Sequence, residues 1–103
     1  MTAFETPAPD APAAEWGRLA TQIPDWRWPD GVFGFGLPID HWAWEGWLLR
    51  LLSADDRPVS ATRMSPVAVT VWRHGLGTHT EPTLGRACIA AAAALGRWPG
   101  GEQ

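Results

Sequence analysis

The strongest constraint on the fold is a helical pattern of apolar residues between Asp40 and Leu52. Five large apolar residues recur there at spacings of three and four, which places them on one face of an α-helix. Asp40 can cap the first turn, and Ile39 before it can pack on Trp44. The pattern therefore predicts a central helix that buries this face. The face consists of Trp44, Trp47, Leu48, Leu51 and Leu52.

Two large apolar residues of this helix fall outside the buried face. Trp42 and Leu49 are seven residues apart, so they lie one above the other on the side that also holds Glu45, Gly46 and Arg50. An apolar pair on the solvent side of a helix needs a second surface to cover it. Either a strand or the N-terminal segment covers it, or the pair contacts another molecule.

A shorter helix is predicted from Ala13 to Gln22, and Pro24 ends its pattern. The segment from Met1 to Pro12 is rich in Pro and Ala, with Phe4 as its bulky apolar residue. We therefore expect residues 1–12 to form a disordered tail. The residues with helical spacing in the short helix are Trp16, Leu19, Ala20 and Ile23.

The last helix is predicted to start at Glu81-Pro82-Thr83, because Pro is well suited to a first turn. Arg86 and Arg97 fall beside its apolar stripe, so we expect them to be solvated or close to the helix caps. Trp98-Pro99-Gly100-Gly101 is expected to end the helix, and residues 100–103 to be flexible. The stripe consists of Leu84, Cys88, Ala91, Leu95 and Trp98.

The segment from Val67 to Arg73 is the clearest strand, because its Val, Thr and Trp content agrees with its two-residue period. Val67, Val69 and Val71 should face the helices, which leaves Thr70 and Trp72 on the opposite side of the sheet.

Weaker alternation predicts strands over Val32–Leu37 and Val59–Thr62, whereas His74–Thr80 reads as a glycine-containing turn or loop. The order of elements predicts an α+β fold, with a small antiparallel sheet of about three strands packed with two or three helices. Residues 13–99 would form this single domain.

Composition excludes several classes of function. The net charge is −3, and the eight basic residues are scattered arginines. Duplex nucleic acid is not an expected partner, because that affinity comes from clustered positive charge. No stretch approaches the roughly 18 apolar residues of a membrane helix, and the N-terminus lacks the features of a secretory signal. We therefore expect a cytoplasmic protein that binds no membrane.

The residue types that carry catalysis or bind metals are sparse. His41, His74 and His79 have no cysteine or carboxylate cluster to complete a zinc site, which normally needs three or four ligands. Cys88 is alone in an Ala-rich run, so it forms no intramolecular disulfide and is expected to pack as a small hydrophobe. The sequence therefore predicts no metal, no cofactor and no enzymatic activity.

Two further patterns fail as active-site motifs. Asp55-Asp56 fits a loop at a helix end better than a carboxylate pair for acid–base chemistry. The glycines at 31, 34 and 36 resemble a phosphate loop, but no Lys follows them and Pro38 interrupts the approach to the helix.

Several segments resemble a group of small prophage proteins that includes the phage α/β/α (ABA) sandwich domain. They are Trp26-Arg27-Trp28 after a short helix, the amphipathic helix from Asp40 to Leu52, the Val-rich strand ending in Trp72, and the Glu81–Ala91 segment. The similarity covers roughly residues 15 to 98. It implies a fold and a phage setting in the host bacterium's cytoplasm, with no catalytic residues to carry over.

The content of eight tryptophans suggests the main functional hypothesis. A Trp buries about 150–250 Å², so five or six fill a core of this size, and the others are candidates for a binding surface. The protein would then be a phage-encoded, non-catalytic module that binds a host or phage protein, for example to inhibit a host defence system. Its anchors would be Trp26, Arg27, Trp28, Trp42 and Leu49.

The alternative hypothesis is a small-ligand protein that holds a nucleotide-like group between Trp and Arg side chains. Self-association through a sheet edge, or through Trp42 and Leu49, is compatible with either hypothesis. The residues that would line the ligand pocket are Trp72, Arg73, His74, Gly75 and Gly77.

Overall fold

A computed structural model of the chain describes residues 4–29, 37–53 and 57–101. These residues form three α-helices and one three-stranded antiparallel sheet, so the predicted α+β class is confirmed. None of the helices in these ranges is long and apolar enough to cross a membrane. The helices are α1 (Ala13–Gln22), α2 (Glu45–Ser53) and α3 (Leu84–Leu95), and the strands are β1 (Val59–Ser65), β2 (Ala68–Arg73) and β3 (Gly77–Glu81).

Helix α1 has the predicted bounds. The apolar residues Trp16, Leu19, Ala20 and Ile23 are all buried. At Ile23 the backbone turns to an extended conformation, although its N–H still donates to the Leu19 carbonyl at 3.1 Å. Pro24 follows and has no N–H to continue the helix.

The helix predicted from Asp40 begins differently in the structure. Residues 42–44 form a 3-10 turn that leads into α2. The predicted cap at Asp40 is wrong, because His41 takes that role: its Nδ1 accepts a hydrogen bond from the Ala43 N–H at 3.1 Å. The Asp40 carboxylate instead pairs with Arg86 of α3.

The change of helix type also separates Trp42 from Leu49. A 3-10 turn has about three residues per turn rather than 3.6, so the angular relation expected for one continuous helix is lost. Trp42 is 75% exposed, whereas Leu49 packs against the core. Of the face predicted to be buried, Trp47 is half-buried and the other four residues, Trp44, Leu48, Leu51 and Leu52, are buried.

Strand β2 lies at the centre of the sheet and pairs antiparallel with β1 and β3. Val69 and Val71 are buried beneath the helices, as predicted. Val67 does not follow them: it lies in the turn between β1 and β2 and is 74% exposed. The predicted short strand from Val59 extends to Ser65, with an irregular register between Arg63 and Ser65.

Strand β3 corrects the prediction of a loop over residues 74–80. Only residues 74–76 form the turn, and Gly77 already begins the strand. Gly75 and Gly77 have φ angles of 85° and 93°, which side chains disfavour, so these glycines let the chain reverse sharply. Residues 32–36 of another predicted strand, the glycine pattern at 31, 34 and 36, and Asp55-Asp56 lie outside the described residues.

The helix at the centre of the fold is α3 rather than α2, because α3 contacts α1, α2, β2 and β3. All residues from Gly85 to Ala93 are buried, Cys88 among them. The helix begins later than predicted, at Leu84: Glu81 ends β3, and Pro82 lies before the N-cap rather than in the first turn. The Thr83 hydroxyl caps the helix by accepting a hydrogen bond from the Arg86 N–H at 3.2 Å. Of the two alternatives expected for Arg86, solvated or close to a cap, the second is correct: the residue lies in the first turn beside the Thr83 cap and is 9% exposed.

Helix α3 ends earlier than predicted. Gly96 adopts a left-handed conformation (φ 90°) and stops the helix before Trp98. Trp98 then folds back, and its backbone N–H donates to the Pro24 carbonyl at 2.9 Å while its indole Nε1–H donates to the Ala20 carbonyl at 3.0 Å. These bonds fix the C-terminal segment against the end of α1.

Residues 4–12, predicted to be a disordered tail, lie against the helices. Phe4 and Ala11 are partly buried against the core. The Trp16 Nε1–H donates to the Ala8 carbonyl at 3.1 Å. These contacts depend on donors from α1 and α3, so no pattern within residues 4–12 predicts them.

Candidate functional site

Four tryptophans from three separate segments meet in a tryptophan cluster, formed by Trp26, Trp28, Trp44 and Trp98. The ring centroid of Trp26 lies 5.4 Å from Trp28, 6.1 Å from Trp44 and 5.6 Å from Trp98. Trp44 and Trp98 are buried, and Trp26 is half-buried. The cluster therefore runs from the core to the surface, with Trp26 in its middle.

Trp28 is the outermost member of the tryptophan cluster. Its ring meets that of Trp26 edge-on, at an interplanar angle of 89°, and lies 6.1 Å from Trp44. Even so, 63% of Trp28 is exposed to solvent. Edge-to-face ring pairs contribute about 0.5–1.5 kcal/mol beyond area burial, so a largely exposed indole is held in a defined orientation.

Trp42 carries a second exposed indole, two residues before Trp44 of the tryptophan cluster. It is 75% exposed and begins the 3-10 turn that ends at Trp44 of the tryptophan cluster. The His41 ring lies 5.2 Å from it at an angle of 34°, and the His41 imidazole is fixed by its hydrogen bond to Ala43. We refer to the two exposed indoles, Trp28 and Trp42, together as the Trp28/Trp42 surface.

The other three proposed anchors are engaged within the fold. Trp26 supports Trp28 from below, and Leu49 packs against the core. Arg27 donates from Nη1 to the Gly100 carbonyl at 3.5 Å, and its own carbonyl accepts a hydrogen bond from the Trp47 indole at 2.9 Å. These contacts fix the backbone on which Trp28 is mounted.

The Trp26 indole has an unusual environment. Its Nε1 is buried and has no hydrogen-bond partner among the described residues. An unsatisfied buried donor costs about 1–3 kcal/mol, and such groups are rare in folded proteins. The position of Trp26 beneath the exposed Trp28 ring therefore lowers the stability of the fold.

The residues of the alternative ligand pocket do not come together as expected. Trp72 is 37% exposed on the sheet face away from the helices, whereas Arg73 points to the other face and is 4% exposed. Adjacent residues of a strand project to opposite faces, and Arg73 Nε donates to the Leu52 carbonyl at 3.4 Å. A sandwich of one ligand between Trp72 and Arg73 therefore has no geometric basis.

Arg57 lies where that pocket was expected, and sequence reasoning missed it. Its Nη1 is 3.3 Å from His74 Nδ1, and the His74 ring lies 6.3 Å from Trp72. The pairing of β1 with β2 brings Arg57 here, since the His74 N–H donates to the Pro58 carbonyl at 3.0 Å. Gly75 and Gly77, the remaining predicted pocket residues, serve the turn.

The ionisable groups of the described residues do not form a metal centre. Within residues 4–29, 37–53 and 57–101, no three His, Cys, Asp or Glu residues are grouped to hold a metal ion.

Burial lowers the pKa of His79 below 6.5. Burial raises the pKa of Glu81 above 4.5, against the opposing effect of Arg86. Burial, with a smaller effect of Glu45, raises the pKa of the Cys88 thiol to about 12.

No protein-family model, curated protein or solved structure matches this chain. The resemblance to prophage proteins therefore remains a prediction from the residues. The function has to be argued from the surface and its chemistry, and the Trp28/Trp42 surface is the feature that most requires a functional explanation.

Proposed function

We propose that this protein is a non-catalytic protein-binding module that docks through the Trp28/Trp42 surface. The observation that carries the proposal is the environment of Trp28, which is 63% exposed yet oriented by two other indoles. Single exposed apolar residues are common on protein surfaces. An exposed Trp fixed on an aromatic base, with a second exposed Trp two residues before Trp44 of that base, is typical of a binding anchor.

The energetics of docking favour such an arrangement. Association is opposed by the ordering of side chains at the interface, at about 0.5–1.5 kcal/mol for each one immobilised. Trp28 has already lost much of that freedom, because Trp26 and Trp44 hold its ring. Insertion of the indole into an apolar pocket of a partner would bury a large area at a small ordering cost.

The partner class proposed here is a host or phage protein in the cytoplasm of a bacterium. The prophage resemblance supports this setting, and inhibition of a host defence system is one role that a small phage-encoded module performs by binding alone. The scattered charge and the net charge of −3 give no electrostatic basis for binding duplex nucleic acid.

Affinity capture from a bacterial host lysate tests this proposal. The full chain carries a tag and is compared with Trp28→Ala, Trp42→Ala and the double variant. Trp72→Ala serves as the matched control, because it removes an exposed indole from a different face. We expect one host protein to be retained by the wild type and by Trp72→Ala, and to be lost from the double variant.

Calorimetry with the purified partner then measures how much each indole contributes to the affinity. Each single substitution at Trp28 or Trp42 should weaken the affinity at least tenfold, which is the range of binding hot spots. Circular dichroism checks that each variant is folded. Equal retention by wild type and double variant, or loss only in Trp72→Ala, would contradict the assignment of the Trp28/Trp42 surface.

A further inference from the structure

The outer face of the sheet, on the side away from the helices, has an unusual composition. The pairing of β2 with β1 and β3 aligns six residues of this face in two rows that cross all three strands. Paired residues of neighbouring strands project to the same side of a sheet. We call these residues the hydroxyl face, because five of them are Ser or Thr and the sixth is Trp. The first row consists of Ser60, Trp72 and Thr78, and the second of Thr62, Thr70 and Thr80.

The ionisable residues of the three strands all lie on the helix side of the sheet. In the strand register each of them is opposite Val59, Val69 or Val71, and Val69 and Val71 are buried beneath the helices. A sheet face in contact with water normally carries the polar and charged side chains. The hydroxyl face is open to water but carries no charge, so the usual distribution is reversed. The four ionisable residues are Arg63, Arg73, His79 and Glu81.

The reversed distribution does not favour the stability of the fold. His79 Nε2 and Glu81 Oε1 are buried and have no hydrogen-bond partner among the described residues. Unsatisfied polar atoms of this kind are destabilising. The hydroxyl-face positions next to them, Thr78 and Thr80, are exposed, so an ionisable side chain there would be solvated. The neutral character of the hydroxyl face therefore calls for a functional explanation.

The groups of the hydroxyl face are held in place by contacts within the fold. Trp72 is 37% exposed, and the His74 ring lies 6.3 Å from it at an angle of 76°. His74 Nδ1 is in turn 3.3 Å from Arg57 Nη1. In the second row, the Thr70 and Thr80 hydroxyls form a hydrogen bond of 2.7 Å. This bond uses one of the two O–H groups, so the other O–H can donate to a ligand, and both oxygens can still accept.

The chemistry of the hydroxyl face selects a class of ligand. Hydroxyl groups both donate and accept hydrogen bonds, which complements a ligand whose own polar groups are hydroxyls. An indole presents a large apolar ring to the C–H groups of a sugar. A nucleic acid would need cationic side chains for its phosphates, and the core of a protein interface would need several large apolar residues. A neutral sugar needs neither.

We propose that the hydroxyl face is a binding site for neutral oligosaccharides, with one sugar ring stacked on Trp72 and the sugar hydroxyls bonded to the Ser and Thr side chains. The two rows cover about 10 Å across the strands and about 7 Å along them. This open area suits an extended chain of sugars, whereas single small ligands are usually enclosed in clefts. The site shares no residue with the Trp28/Trp42 surface, so the two proposals fail or succeed separately.

NMR titration of the full chain with neutral oligosaccharides tests this inference. The probes are maltohexaose, cellohexaose and chitohexaose, which differ in linkage and sugar but carry no charge. We expect at least one of them to shift the indole N–H resonance of Trp72 and the amide resonances of Thr70 and Thr80 in a saturable manner. The indole resonances of Trp28 and Trp42 should stay unchanged. Saturation by none of the three probes, or shifts centred on Trp28 and Trp42, would overturn the inference.

Substitutions measure the contributions of the indole and the hydroxyls. Trp72→Ala should weaken the affinity for the bound oligosaccharide at least tenfold, and Trp72→Phe should weaken it less, because it keeps an aromatic ring. Thr78→Val keeps the branched shape of the side chain but removes its hydroxyl, and it should weaken the affinity at least threefold. Val67→Ala, at an exposed position in the turn between β1 and β2, is the control and should bind as the wild type does.

Circular dichroism shows whether each variant is folded, and Thr78→Val provides the test if Trp72→Ala is not. Wild-type affinity in the folded variants of Trp72 and Thr78 would refute the site. Dextran sulfate and oligothymidine are added as charged probes, and neither should shift the Trp72 resonance. If a charged probe bound more tightly than every neutral one, the hydroxyl face would belong to an anionic polymer and the inference would be wrong.

Discussion

Arg86 and Asp40 form an ion pair at 3.1 Å, although they lie 46 residues apart in the sequence. The two side chains are 10% and 23% exposed. Asp40 precedes the 3-10 turn that leads into α2, whereas Arg86 is in the first turn of the buried helix α3. Because Arg86 also donates to the carbonyls of Pro9 and Ala11, one side chain connects three segments of the chain.

Removal of this guanidinium should strongly destabilise the fold. Arg86→Met keeps much of the side-chain volume but leaves Asp40 and the carbonyls of Pro9 and Ala11 without their donor. Breaking a buried ion pair by removing one partner costs about 3–5 kcal/mol, and we expect a loss near the lower limit because Asp40 is partly exposed. Urea denaturation measures the free energy of unfolding. Arg18→Met, at an exposed position of α1, is the control and should change it by less than about 0.5 kcal/mol.

Two helical glycines should respond in opposite directions to substitution by Ala. A Cβ at Gly85 would lie 2.8 Å from the Ile39 carbonyl oxygen and 3.3 Å from the Asp40 Cα, both of them backbone atoms. Gly85→Ala should therefore destabilise by about 1–3 kcal/mol. At Gly46 nothing lies within 4 Å, so Gly46→Ala should stabilise α2 by about 0.5–1 kcal/mol. Thermal unfolding measures both variants, and a Gly85→Ala variant as stable as the wild type would disprove the close approach of α3 to Ile39.

Cys88 should be unreactive in the folded protein. Its side chain is fully buried, and burial raises the pKa of its thiol to about 12. The thiolate is the reactive species, so labelling by a thiol reagent at neutral pH requires unfolding. We expect labelling to be slow without urea and to accelerate across the unfolding transition. Rapid labelling of the native protein would show that the Ala-rich face of α3 opens locally.

The pH dependence of stability should contain a contribution from His79. Burial lowers its pKa below 6.5, so the unfolded chain binds the proton more tightly and stability is lost as the pH falls below about 6.5. Glu81 acts in the opposite direction, because burial raises its pKa above 4.5 and the folded state takes up the proton first as the pH falls. Urea titrations of wild type and His79→Gln between about pH 8 and about pH 5 separate the contribution of His79 from that of Glu81. The variant should lose less stability on acidification; parallel curves would exclude this contribution.

Local periodicity was sufficient to predict several elements of the fold. The bounds of α1 and the direction of Val69 and Val71 follow from spacing within one segment. Strand β3 was missed because its residues are polar, and its pairing with β2 depends on the glycine turn before it. The burial of Arg86 was missed for a related reason, since its partners Asp40 and Pro9 are distant in sequence.

The candidate site was predictable in kind but not in detail. The number of tryptophans indicated that some would be exposed, and Trp28 and Trp42 were among the five proposed anchors. Which indoles reach the surface depends on packing between distant segments, such as the contact of Trp26 with Trp98. The position of Arg57 beside His74 likewise follows from strand register, which no local pattern in the sequence specifies.

Exposed and buried tryptophans should differ sharply in their effect on stability. Trp42 is 75% exposed, so Trp42→Ala should change the free energy of unfolding by less than about 0.5 kcal/mol. Trp98 is fully buried and its indole donates to the Ala20 carbonyl, so Trp98→Ala should cost about 3–5 kcal/mol. Chemical denaturation of the two variants checks the difference. A cost at Trp42 comparable to that at Trp98 would give the exposed indole a structural role, and the case for a binding anchor would lose its second residue.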